Sequence, residues 1–131
     1  MIDPQHAFAS AFLWIAAFGF LVAFALPLAL VPMAWARAFR WTIPHDTDLA
    51  VYLGRCLGAL ATTIAVFALR AAPEPAAHPY VFELIAVACG LVTIVHVWGA
   101  IRRIQPWTET AEIALYAGMT ALAWIARATL A

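Results

Sequence analysis

Apolar residues run almost unbroken over four helix-length stretches, residues 8–31, 49–69, 80–101 and 109–129, and the polar residues gather between them. About 20 apolar residues at 1.5 Å of rise cross roughly 30 Å of hydrocarbon. The pattern predicts an all-α integral membrane protein, a single domain over residues 1–131 built as an up-down-up-down bundle of four transmembrane helices.

Punctuation between the runs refines this picture. Pro27 removes a backbone hydrogen bond inside the first run, so a kink or an early end is expected there. Residues 32–43 are basic and aromatic and too short to span; they should lie in the interface, with Trp35 and Trp41 at headgroup level and Arg37 and Arg40 towards phosphates. Pro44 to Asp48 opens the second span, with Asp46 or Thr47 as its cap. Pro73, Pro75 and Pro79 prevent helix continuation and make the second and third spans antiparallel neighbours. Thr108 should cap the fourth span, with Glu109 and Glu112 in its first turn.

Composition agrees: the chain is 66% hydrophobic and 11% charged, against about 45–50% and about 25% in soluble domains. A soluble domain is excluded. Seven basic residues balance seven acidic ones, which leaves no basic excess for nucleic acid. The N-terminus lacks the positive region of a signal peptide, so the first run is expected to remain as a helix. Cys56 and Cys89 fall within apolar runs without metal or haem spacing and read as small buried residues.

Orientation follows from arginines. Arg37, Arg40, Arg102 and Arg103 flank the first and third connections, against Arg70 and Arg127 at the other side. That bias predicts both termini outside the cytoplasm at a cell membrane. Small residues four apart offer close helix contacts in every span: Gly19 with Ala23, Gly54 with Gly58, Ala86 with Gly90, and Ala114 with Gly118.

Arg55 is the one cation well inside a span, where charge is costly and a partner is expected. His96 should lie at nearly the same depth, and Glu109 and Glu112 begin the fourth span on that side. Helical spacing adds Tyr52 on the second span and Tyr116 on the fourth. Turned inward, these stripes pair Arg55 with Glu112 beside His96 and form a candidate ligand site of Arg55, His96, Glu112, Tyr52, Tyr116 and Glu109. A lone ion pair, or snorkelling of Arg55 to the interface, explains the same residue without a ligand. Glu83 should reach the outer interface or pair with Arg70.

No catalytic residues, resident metal or cofactor are expected. His45, Asp46 and Asp48 offer N/O donors, but capping accounts for the acids, and His96 is the single histidine within a span, short of the pair a b-type haem takes. Hydrolase and phosphate-loop motifs are absent, and Ser10 has no nearby base. The first reading is a non-enzymatic accessory subunit whose partners are membrane lipids and other membrane subunits or further copies of itself. A lipid or quinone-like ligand bound at the Arg/His/Glu cluster is the alternative, and a small membrane enzyme using the same cluster is the third.

Overall fold

The computed structural model describes residues 1–130, which are all-α, with no strand among the described residues. Three helices are long and apolar enough to cross a membrane: Ala7–Leu30, Asp48–Ala71 and Tyr80–Arg102. A fourth, Trp107–Ala128, carries Glu109, Glu112 and Arg127 and is less apolar.

The first long helix consists of α1 (Ala7–Phe20), a π-helical turn (Leu21–Ala25) and α2 (Leu26–Leu30). Pro27 lacks an N–H and would drive its ring into the carbonyl four residues back, so the wider π turn just before it relieves the clash. The helix therefore continues past Pro27 as far as Leu30 instead of ending there. The freed carbonyl of Ala23 accepts the Trp35 indole N–H at 3.0 Å. That bond folds α3 (Pro32–Ala38) back along the first helix, where Trp35 stacks on Phe39 at 4.2 Å.

α4 (Asp48–Ala71) presents a stripe of small residues, Gly54, Gly58, Ala61, Ala65 and Ala68, to the first helix. A Cβ on Gly58 would lie 2.7 Å from Ala29 Cα and 2.8 Å from Ala25 O, and one on Gly54 would lie 2.7 Å from Pro32 Cβ. Close approach gives van der Waals contact, which holds helices together where water does not drive them. Thr47 precedes α4 without a side-chain cap, while Asp46 Oδ1 accepts the Asp48 N–H at 3.2 Å.

After a 3₁₀ turn (Pro75–Ala77), α5 (Tyr80–Arg102) packs along most of its length on α6 (Trp107–Ala128). α5 touches α4 only marginally, so chain neighbours α4 and α5 are not the close pair the short connection suggested. The molecule is two tight hairpins, first helix with α4 and α5 with α6. Arg103, at φ 55, ends α5 in the left-handed region and turns the chain sharply into α6.

Inside and outside are reversed relative to a soluble protein. Buried hydrophobic positions are mostly alanine, among them Ala9, Ala65, Ala68, Ala72 and Ala126, whereas Ile15, Leu49, Leu60, Val95 and Ile101 stand exposed. An apolar surface of that extent needs an apolar surrounding. The shared core of all four long helices, centred on Phe82 stacked over Phe12 and on Leu13 and Val81, lies at the end of the second connection.

Candidate functional site

At the opposite end the hairpins separate. Between them lies a half-open cavity of about 390 Å³, with Phe20, Phe24, Leu28, Leu57 and Val92 among its apolar walls. Its polar end is made by His96, Glu109, Glu112 and Tyr116.

Local structure explains why these four meet. The left-handed turn at Arg103 and the short connection after it place the first two turns of α6 against the last two of α5. Gln105 folds under α5 because Gly99 has no side chain; a Cβ there would lie 2.8 Å from Gln105 Cδ. Its amide donates to the His96 carbonyl at 3.0 Å and to Thr110 Oγ1 at 3.2 Å. Glu109, Glu112 and Tyr116 then fall on one face of α6 at spacings of three and four, towards α5.

His96 Nε2 lies 3.2 Å from Glu109 Oε2 and 3.7 Å from Glu112 Oε2. Its Nδ1 lies 2.8 Å from the Val92 carbonyl, an acceptor only, so Nδ1 carries a hydrogen. The Tyr116 ring leans over the imidazole at 5.1 Å between centroids. Glu109 and Glu112 are only 7% and 8% exposed. Burial on this scale demands partners for the carboxylates, since desolvating an unpaired charge is costly. Glu109 Oε1 accepts the Trp41 indole N–H at 2.8 Å, while Glu112 Oε1 is buried with no hydrogen-bond partner among the described residues.

Sequence reasoning placed Trp41 among lipid headgroups; the structure turns it into the site. Thr108 helps to hold it there, donating its hydroxyl to the Phe39 carbonyl, and so ties the first connection to the start of α6 instead of capping that helix. The signal lay in topology, since the first and third connections share one end. Spacing within one segment could not select the pair.

Arg55 and Tyr52 are not brought to this cluster. Both are exposed, and Arg55 forms no ion pair among the described residues. The small-residue stripe decides this: with Gly54 and Gly58 against the first helix, position 55 is rotated about 60–100° away from that contact. Glu112 thus faces His96, not Arg55. Among the small pairs, Ala86 is buried and Gly90 looks towards Thr120 at 3.9 Å, but Ala114 is exposed and Gly19 and Gly118 face open space.

Other polar residues are accounted for by structure. Glu83 accepts from Arg127 Nε at 3.1 Å, so its partner is Arg127 and not Arg70, which lies over the Phe67 ring. Ser10 is fully buried and donates to the Ala72 carbonyl at 2.7 Å. Cys56 is exposed, contrary to its reading as a buried residue, and Cys89 is half-buried. Comparison with protein-family models, with curated proteins and with solved structures finds no match for this chain.

Proposed function

We propose that this chain is a four-span membrane protein that binds a small lipophilic molecule in the cavity between its hairpins, with the polar head of that molecule at His96, Glu109, Glu112 and Tyr116. The observation that carries the reading is the pairing of an apolar, half-open space of about 390 Å³ with one buried polar end. That is the general form of a small-molecule site. Arg55 takes no part in the site and snorkels towards headgroups from the exposed face of α4.

Orientation in this reading puts the site end in the cytoplasmic half, where Arg37, Arg40, Arg102 and Arg103 collect and where Arg40 and Arg102 lie over the Trp107 and Trp98 rings. Labelling of single cysteines at exposed positions 74 and 104, in a chain with Cys56 and Cys89 replaced, tests this. Label reaching position 74 but not 104 from outside intact cells is the expected result; the reverse pattern inverts the topology.

Val92→Trp fills the cavity and tests the ligand. Lipid extraction and native mass spectrometry of protein in mild detergent should find a stoichiometric lipophilic species in the parent and not in the variant. The same species retained equally by both would sink the reading.

One feature favours the accessory-subunit reading as a second function. Ala111, Ala114, Gly118 and Ala121 are spaced at three and four along α6, and Ala111, Ala114 and Ala121 are exposed. Such a row suits a close helix neighbour from another subunit or copy. Gly118→Leu should then abolish a stoichiometric association while leaving the cavity ligand in place.

A further inference from the structure

Around His96 the hydrogen-bond arrangement contains an unmet requirement. Because Nδ1–H is given to the Val92 carbonyl, a neutral imidazole turns its Nε2 lone pair towards Glu109 Oε2 and Glu112 Oε2. With both carboxyls ionised, three lone-pair donors then converge with no hydrogen between them. No arginine lies within ion-pair distance of either carboxylate among the described residues, and Glu112 Oε1 is buried without a partner. Something positive belongs at this point.

We infer that His96, Glu109 and Glu112 bind a first-row divalent transition-metal ion at the polar end of the cavity. Ligand atoms of all three residues lie within 4.8 Å of one another. For bonds of about 2.1 Å, tetrahedral donors are roughly 3.4 Å apart, and the separations from His96 Nε2, 3.2 Å and 3.7 Å, bracket that figure. Only the carboxylates need small rotations to close on an ion.

The supporting groups fit as well. A metal-bound histidine ordinarily gives its other N–H to a carbonyl or carboxylate, which fixes tautomer and ring orientation; Val92 O does this for His96. Ligating carboxylates are themselves held by donors, and Trp41 Nε1 holds Glu109. One imidazole and two carboxylates suit zinc, ferrous iron or manganese, and their two negative charges neutralise a dication in a dry site. Three protein ligands leave a coordination position open towards the cavity, within reach of an oxygen on a bound head group. The ion does not depend on the lipophilic ligand and is tested without it.

Protein in mild detergent, stripped with chelator, is titrated with Mn²⁺ and free ion is followed by electron paramagnetic resonance. One ion per chain, displaced by Zn²⁺, is expected, with a directly bonded nitrogen coupling in the pulsed spectrum. Glu112→Gln, which conserves volume, should weaken binding at least about 100-fold, the upper end of the loss caused by removing a supporting group alone. His45→Ala, beside exposed Asp46 and Asp48, should change nothing. Absence of saturable binding overturns the proposal and leaves an imidazolium held by carboxylates; so does unchanged affinity in folded Glu112→Gln. If that variant does not fold, the parent spectrum decides: bound Mn²⁺ without nitrogen coupling places the ion elsewhere.

Discussion

The two ends of the molecule are built on opposite rules. At the second connection, α1, the end of α4, the start of α5 and the end of α6 close on Phe12, Leu13, Val81 and Phe82, with alanines letting the backbones approach. At the other end the hairpins part, large aromatics line a space, and two carboxylates are buried beside a half-buried histidine. One end binds the hairpins together, so the other can hold a cavity without collapsing. In so small a bundle, division along the helix axis replaces the division between scaffold and loops seen in larger proteins.

Substitutions sharpen the contrast. The largest effect is expected at Gly58, where new atoms meet backbone and not a side chain that can move. Gly58→Leu should give no folded protein by fluorescence-detected size exclusion, while Leu57→Ile should be tolerated. Normal yield of Gly58→Leu would show that the first hairpin packs differently.

Next comes Phe82→Ala, which removes a fully buried ring stacked on Phe12. It should cost about 3–5 kcal/mol. Val92→Ala, at the cavity wall, deletes atoms that already face space and should cost about 1 kcal/mol or less. Equal losses in detergent unfolding would erase the distinction between the ends.

How far this was readable from residues differs between the ends in the same way. Helix positions follow from apolar length and from Pro44, Pro73 and Pro79, local signals that survive in any fold. His96, Glu109 and Glu112 were also legible as neighbours, because a short connection and helical spacing nearly determine their distance. The rotation of α4 was not. Arg55 and the Gly54–Gly58 face both invited an inward reading, and only packing against Ala25 and Ala29 decides between them. Trp41 escaped because its partner is 68 residues away. The close pairing of α5 with α6, with α4 and α5 hardly touching, likewise depends on side-chain volumes summed over whole faces.

An effect smaller than that at Phe82 is expected at Ser10, where the closed end buries a hydroxyl bond between α1 and the second connection. Ser10→Ala leaves the Ala72 carbonyl without its donor and should cost about 1–3 kcal/mol. Ser10→Cys, similar in size and a weaker donor, should fall between. No loss in thermal stability would mean that water replaces the hydroxyl and that this end is less dry than its packing implies.

The smallest effect lies just beyond the closed end, at the turn that leads into α1. Asp3 accepts the Gln5 N–H at 2.9 Å and faces His6 Nδ1 at 3.1 Å, while its own N–H donates to Ser10 Oγ. The Gln5 N–H above all, and then His6, hold the Asp3 carboxyl below its ordinary value. A depressed carboxyl contributes stability that is complete at neutral pH and is lost as pH falls through the lowered value. Acidification below about pH 4, the ordinary aspartate range, should therefore release the Gln5 amide to hydrogen exchange. Because the turn lies outside the packed core, the midpoint of thermal unfolding should not move with it. Loss of amide protection together with a lower midpoint, absent in Asp3→Asn, would extend the closed end to the first residues of the chain; protection unchanged by acid would show that the turn holds without its charge.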